Sequence, residues 1–141
     1  MEATEMMEGQ CLCGAVSIRA ERRDKLEVCH CGMCRRWGGS PLLAVHCGQD
    51  ILLTGQDSIT VYDSSDWAER GFCRHCGTHL FYKFKGNNEY AVPAGFFQSG
   101  ADNFVMCGQI FIDAKPGYYD FANQTPMMTE AEVLERYGLP E

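Results

Sequence analysis

Short-spaced cysteines are the feature of this sequence that most restricts how the chain can fold. Seven of its nine cysteines fall into three clusters. The clusters are Cys11-Leu-Cys13, Cys29-His-Cys31-Gly-Met-Cys34 and Cys73-Arg-His-Cys76-Gly77. In a reducing compartment structural disulfides are rare, and thiols at such spacings are typical of metal ligands. The clusters therefore predict folding around metal ions rather than a disulfide framework.

The sequence also indicates a compartment and excludes some partners. The segment Met1–Glu8 is short and acidic and lacks the basic and apolar regions of a secretory signal. No apolar run reaches the roughly 20 residues that cross a bilayer. We therefore expect a cytoplasmic protein with no membrane partner. A net charge of −7 is poorly matched to the phosphates of a nucleic acid, so we expect no nucleic-acid partner either.

Short strands separated by turn residues fill most of the chain. The length of 141 residues, with 45% hydrophobic and 22% charged residues, is that of one globular domain. Apolar runs and alternating patterns predict strands at 14–20, 26–29, 41–47, 51–54, 59–62, 70–73, 78–84, 90–94 and 104–112. No connection is long enough for a crossover helix, so we expect antiparallel pairing. The predicted fold class is all-β, a complex antiparallel domain with zinc knuckles.

Two segments are predicted to be helical. A single turn follows Cys34 and ends at Gly38-Gly39. The sequence Thr129-Glu130-Ala131-Glu132 is a capping box that opens a short C-terminal helix to about Tyr137. We therefore describe 1–141 as a single domain, with a core over 9–121 and a C-terminal extension over 122–141 that contains this helix.

The middle cluster is the candidate reactive centre. Cys29, Cys31 and Cys34 place three thiols within six residues, enough to fill three corners of a tetrahedron. Three protein ligands and an open position are typical of a catalytic zinc, whereas a structural zinc has four ligands. A fourth ligand from His30 or Cys47 would instead give a second structural site. In an extended segment, however, the His30 side chain would point away from its two neighbours.

The other two clusters supply four thiols for a structural zinc. Cys11 and Cys13 would meet Cys73 and Cys76, which joins the start of the chain to its middle. Zinc binding at a site built from distant segments stabilises the native state. We expect the small Gly77 to prevent crowding beside the second pair.

Two arginines and two unclustered cysteines complete the set of candidates. Arg35 and Arg36 directly follow the last thiol of the middle cluster. A guanidinium beside an open metal position is suited to bind a substrate carboxylate through two parallel hydrogen bonds. Cys47 and Cys107 lie outside the clusters, and we expect both to be buried as small apolar residues.

The order of these motifs along the chain is recognisable. The motifs are Gly9-Gln-Cys-Leu-Cys-Gly-Ala-Val16, Cys29-His-Cys-Gly-Met-Cys-Arg-Arg36 with Gly39-Ser-Pro41, Tyr62-Asp-Ser-Ser65, Arg70-Gly-Phe-Cys-Arg-His-Cys-Gly-Thr-His-Leu80 and Ile110-Phe-Ile-Asp-Ala-Lys-Pro116. Together they resemble the glutathione-dependent formaldehyde-activating enzyme family, which is related to the centromere protein V domain. The resemblance covers roughly 9–121. Gln109 stands where relatives often carry a histidine.

The resemblance implies a β-tent-like fold that holds two zinc ions. By position, the family's structural site corresponds to Cys11, Cys13, Cys73 and Cys76, and its catalytic site to Cys29, Cys31 and Cys34. The implied activity is addition of the glutathione thiol to formaldehyde to give S-(hydroxymethyl)glutathione, formally a carbon-sulfur lyase reaction in reverse.

We consider three functions. The first is a zinc-dependent carbon-sulfur lyase that acts on a thiol-aldehyde adduct and binds a small thiol such as glutathione. The alternative is a non-catalytic structural zinc module for protein interaction, since distant relatives such as centromere protein V act in chromatin. A third is a thiol-based redox sensor, which requires exposed cysteines of low pKa that hold no metal. Unpaired strand edges in a small β domain would also allow a homodimer.

Overall fold

The computed structural model describes residues 5–139, and strands make up most of the regular secondary structure in this part of the chain. The strands are β1 (Met6–Gln10), β2 (Ser17–Glu21), β3 (Lys25–Cys29), β4 (Leu42–Gly48), β5 (Ile51–Thr54), β6 (Ile59–Asp63), β7 (Ala68–Cys73), β8 (His79–Phe84), β9 (Glu89–Pro93), β10 (Val105–Ile110) and β11 (Met127–Met128). Two helices accompany them, α1 (Gly32–Gly38) and α2 (Glu130–Tyr137). The predicted all-β class with a short C-terminal helix is confirmed. No helix within the described residues is long and apolar enough to cross a membrane.

The strands form two sheets. The smaller sheet has the order β1-β2-β5, and the larger has the order β11-β10-β3-β4-β9-β8-β7-β6. The prediction of purely antiparallel pairing was wrong, because β10 runs parallel to both β3 and β11. The chain between β3 and β10 forms six other strands, and this long connection takes the place of a crossover helix. Strand β1 was not predicted, because its buried positions are occupied by Met7 and Gly9 and only Met7 carries an apolar side chain.

The hydrophobic core contains side chains of both sheets. From the larger sheet come Val28, Val45 and Val92, and from the smaller sheet Met7 and Ile18, all fully buried. These side chains occupy alternate positions, so the remaining positions of the large sheet face away from the core.

Only one of the two unclustered cysteines is buried. Cys47 is 1% exposed and belongs to the core, as predicted. Cys107 is exposed, so the prediction that it is buried was wrong. The pairing of β10 with β3 shifts its register between Met106 and Gly108, and Cys107 is the extra residue at this bulge.

The face of the large sheet opposite the core carries both helices. Cross-strand partners on this face include Ile110, Cys29 and Leu42 at one side and Ala91, Tyr82 and Arg70 at the other. Helix α1 follows the end of β3 after a short turn. The side chain of Tyr137 in α2 packs on Phe84 of β8, with ring centroids 5.9 Å apart. This face is therefore a covered surface rather than an open one.

The helix ends follow local chemistry. The predicted capping box of α2 is confirmed: Thr129 accepts a hydrogen bond from the Glu132 backbone N–H, and the Glu132 side chain accepts one from the Thr129 backbone N–H. Helix α1 begins earlier than the single turn predicted after Cys34. Its N-cap is Cys31, whose sulfur accepts a hydrogen bond from the Cys34 backbone N–H at 3.3 Å. It ends at Gly39, whose φ is +81°.

Candidate metal centres and their cavity

Four cysteines from distant segments meet at one point. Cys11 and Cys13 follow β1, Cys73 ends β7, and Cys76 lies in the next turn. Their sulfur atoms all lie within 4.8 Å of one another. The Cys11–Cys13 and Cys13–Cys73 sulfur pairs are 3.6 and 3.7 Å apart. A zinc tetrahedron with Zn–S bonds of about 2.3 Å has edges of about 3.8 Å, so the four sulfurs fit such an ion.

Hydrogen-bond donors favour the ionised form of two of these thiols, Cys11 and Cys76. The Val16 backbone N–H donates to the sulfur of Cys11 at 3.3 Å. The Thr78 hydroxyl lies 3.1 Å from the sulfur of Cys76, and its hydrogen bond, with that of the Thr78 backbone, lowers the pKa of Cys76 to about 5. Metals bind cysteine as the thiolate, so these donors suit a ligand set.

Gly77 is needed here for its backbone conformation. Its φ is +77°, and its N–H donates to the Cys73 carbonyl at 2.8 Å to close the turn. A Cβ atom at this position would meet nothing within 4 Å, so the expectation that glycine prevents crowding was wrong. Glycine adopts this left-handed conformation without the steric cost that other residues pay.

Cys29, Cys31 and Cys34 form the second centre. They lie at the end of β3, at the N-cap of α1 and in its first turn, with all three sulfurs within 4.8 Å of one another. Hydrogen bonds donated by the Cys29 and Cys34 thiols lower the pKa of Cys31 to about 2. Hydrogen bonding to Cys31 and Cys34, with burial, raises the pKa of Cys29. A dication bound to these three cysteines, called the trio below, would allow all three thiols to ionise.

Neither proposed fourth ligand joins the trio. Both ring nitrogens of His30 are occupied: Nδ1 lies 2.8 Å from the Tyr119 hydroxyl, and Nε2 lies 2.8 Å from Oε1 of Gln109. Burial lowers the pKa of His30, so the ring is neutral, with Tyr119 donating to Nδ1 and Nε2–H donating to Gln109. Cys47 lies in the core on the opposite face of the sheet. Within residues 5–139, no further His, Cys, Asp or Glu side chain completes this cluster.

Arg70 is a site residue that the sequence analysis did not identify. It is only 4% exposed, and its two terminal nitrogens lie 3.7 and 3.6 Å from the sulfur of Cys34. The guanidinium stacks over the rings of Trp37 and Tyr82 at 5.0 and 5.1 Å, and its Nε donates to Ser64. A buried cation requires an anionic partner, and the three cysteines would supply it once their thiols are ionised.

Replacing Arg70 with glutamine is expected to weaken metal binding at the trio about 10- to 100-fold, the usual cost of losing a group that orients a ligand. The neutral amide retains hydrogen-bonding capacity but not the charge beside Cys34. Competition with a chromophoric chelator measures this affinity. Arg74, which is exposed near the end of the same strand, provides the control substitution R74Q. Equal metal affinity in both variants would contradict a role for Arg70 at the trio.

The two arginines predicted to bind a carboxylate occupy different environments. Arg36 lines the cavity described below. Arg35 instead donates from Nε to the His30 carbonyl at 3.0 Å, and its side chain is not part of the cavity wall. Of the pair, only Arg36 belongs to the cavity wall.

A cavity of about 510 Å³ opens at the trio. Its wall includes all three cysteines together with Arg36, Arg70 and Tyr82. Phe84 lies two residues beyond Tyr82 on the same face of β8, and there the cavity meets Val133, Leu134 and Tyr137 of α2. This volume lies within the range of small-molecule sites in proteins. The trio is therefore accessible to a substrate of more than a few atoms.

Comparisons with known proteins agree with this architecture. A sequence model of the family described as glutathione-dependent formaldehyde-activating enzyme matches residues 6–114. An uncharacterized lyase of Schizosaccharomyces pombe is 42% identical over 130 residues, which are 91% of this chain and 94% of that protein. The crystal structure of a Rhodobacter sphaeroides protein aligns with a TM-score of 0.55 and 29% identity, over 66% of this chain and 89% of that one. The chain thus belongs to the glutathione-dependent formaldehyde-activating enzyme family.

Proposed function

We propose that this protein is a zinc-dependent carbon-sulfur lyase that forms and cleaves adducts of a thiol with an aldehyde. By family membership, the thiol is glutathione and the aldehyde is formaldehyde. The observation that carries the proposal is the cluster of Cys29, Cys31 and Cys34, which has three ligands and faces a cavity. Three protein ligands with an accessible position are typical of catalytic zinc, whereas closed sets of four are structural.

Each cysteine group has its own part in this proposal. Cys11, Cys13, Cys73 and Cys76 would hold a structural zinc, because their four sulfurs fit one tetrahedron. Cys29, Cys31 and Cys34 would hold the catalytic zinc. When bound there, zinc supplies Lewis acidity that favours the thiolate form of a substrate whose free thiol has a pKa of about 8.5.

The reaction itself needs little from the protein beyond positioning. In the forward direction the thiol sulfur bonds to the carbonyl carbon, the C=O double bond becomes a C–O single bond, and the thiol proton ends on the oxygen. The reverse reaction breaks the carbon-sulfur bond and releases both reactants. Holding the two reactants together in one site accounts for much of the acceleration expected for such a reaction.

The chain's own residues supply this positioning. The guanidinium of Arg70, which lies over the rings of Trp37 and Tyr82, donates to the sulfur of Cys34 and orients that sulfur. The guanidinium of Arg36 on the cavity wall can bind a substrate carboxylate by donating two parallel hydrogen bonds to it. Glutathione carries two carboxylates, which makes it a suitable partner for this wall.

Exchange spectroscopy by NMR tests the proposal directly. Glutathione and ¹³C-formaldehyde equilibrate with their adduct without a catalyst, so the rate to measure is the excess over the protein-free solution. We expect this excess to rise in proportion to the concentration of zinc-loaded protein. The variant C107S, altered at an exposed cysteine outside both clusters, is the control and should show the same excess.

One result would contradict the proposal. If protein with both metal sites loaded leaves the exchange at the protein-free rate, the chain is not a lyase for this adduct. Two loaded and inert sites would instead favour the structural module for protein interaction.

A further inference from the structure

The cavity has an apolar wall that the addition of formaldehyde does not use. Val133 and Leu134 of α2 line it, although they are only 5% and 7% exposed. Phe84 and Leu42 of the large sheet also line the cavity. The carbon of formaldehyde carries only hydrogen atoms, so its adduct would present nothing to these side chains.

Helix α2 is also a feature that the family match does not include. The match ends at residue 114, and α2 begins at Glu130. The helix is nevertheless fixed in place at both ends. Its Glu130 backbone N–H donates to the Asp113 carboxylate at 2.9 Å, and Tyr137 packs on Phe84 with ring centroids 5.9 Å apart. The part of the apolar wall that α2 supplies is therefore held in place by contacts with the rest of the domain.

The charges around the cavity specify which part of a substrate would face this wall. The positive side chains Arg36 and Arg70 lie at the end that holds the three cysteines. The acidic side chains Glu27, Glu89 and Glu130 belong to the remaining wall, where Glu27 pairs with His46 at 3.2 Å. An additional carboxylate would be repelled there, whereas an uncharged apolar group would bury surface against Val133 and Leu134.

We infer that the cavity binds thiol adducts whose carbon next to sulfur bears an apolar group of several carbons, and that α2 limits the size of this group. The carbonyl reactant would then be an aliphatic or aromatic aldehyde. The inference rests on the proposed function, because it assigns the sulfur of the adduct to the trio. The bonds that form and break are the same: sulfur bonds to the aldehyde carbon, the thiol proton ends on the oxygen, and the apolar group is unchanged.

Calorimetry with S-methyl-, S-butyl- and S-hexylglutathione tests the inference on the zinc-loaded protein without turnover. In these probes the alkyl chain occupies the position of the aldehyde-derived group. Burial of each additional methylene is expected to strengthen binding about fourfold until the chain reaches α2. Equal affinity for the three probes would overturn the inference.

Substitutions on α2 test the size limit. L134W is expected to fill the cavity and abolish the gain from S-methyl- to S-hexylglutathione. A131W places the same side chain at an exposed position of the same helix and should retain the gain. If L134W does not fold, V133I adds one methyl group to the same wall and should reduce the gain severalfold. Retention of the full gain in every folded cavity variant would contradict the role of α2.

Further outcomes show which reactant carries the apolar group, and whether the inference or the proposed function fails. If 1-hexanethiol binds and the S-alkylglutathiones do not, the apolar group belongs to the thiol and the inference is wrong. If formaldehyde exchange is accelerated while the three S-alkyl probes bind equally, the inference fails and the proposed function stands. If the probes bind with rising affinity but no aldehyde adduct is exchanged faster, the proposed function fails.

Discussion

Replacing Cys73 with serine is expected to unfold the protein under conditions in which the unmodified chain is native. Cys73 is fully buried at the junction of β7 with the segment that carries Cys11 and Cys13. Structural zinc contributes roughly 10 to 16 kcal/mol of apparent binding free energy, comparable to the roughly 5 to 15 kcal/mol total stability of a domain. Loss of one of four ligands removes most of this contribution and buries a hydroxyl in its place.

Circular dichroism, urea titration and metal analysis together measure this effect. The matched control is C47S, because Cys47 is equally buried but belongs to neither cluster. Its expected cost is that of burying a hydroxyl, about 1 to 3 kcal/mol, with both metals retained. A C73S protein as stable as C47S would show that the four-cysteine cluster does not hold the fold together.

The grouping of the cysteines could be predicted because spacing alone limits it. Three thiols within six residues must lie close together in any fold, so the proximity of Cys29, Cys31 and Cys34 needed no tertiary information. The long-range meeting of the other four followed by elimination, since a structural zinc has four ligands. The same reasoning gave no geometry for the surroundings of either cluster.

The role of Arg70 could not be predicted because it depends on strand register. Arg70 lies opposite Tyr82, and this pairing places its guanidinium against Cys34, 36 residues away in sequence. Nothing local distinguishes Arg70 from an exposed strand arginine. The parallel pairing of β10 with β3 was hidden for a similar reason, because it depends on what the intervening six strands do.

The C-terminal extension shows the difference between predicting an element and predicting its use. The capping box fixed the start of α2 because Thr129 and Glu132 act within one helical turn. Its contribution to the cavity depends on contacts with Asp113 and Phe84, which are distant in sequence. Local hydrogen bonds are readable from local sequence, whereas a binding surface assembled from several elements is not.

Replacing Cys31 with serine is expected to remove the acceleration of adduct exchange while leaving the protein folded. Loss of a metal ligand costs more than the 10- to 100-fold loss typical of groups that only orient ligands, so we expect a decrease of more than about 100-fold. The fold should survive because Cys31 is also the N-cap of α1 and serine is a preferred N-cap residue. Its hydroxyl can accept the hydrogen bond that the Cys34 N–H now donates to sulfur.

Metal analysis, exchange spectroscopy and urea titration on the same samples make this prediction specific. C31S should retain one metal ion per chain, at the four-cysteine cluster, and show adduct exchange near the protein-free rate. The matched variant C31A removes the cap as well as the ligand, and should be about 1 kcal/mol less stable than C31S with the same loss of exchange. If C31S unfolds as C73S does, both clusters are structural. If C31S folds and keeps the exchange rate of the unmodified chain, the reaction does not take place at the trio.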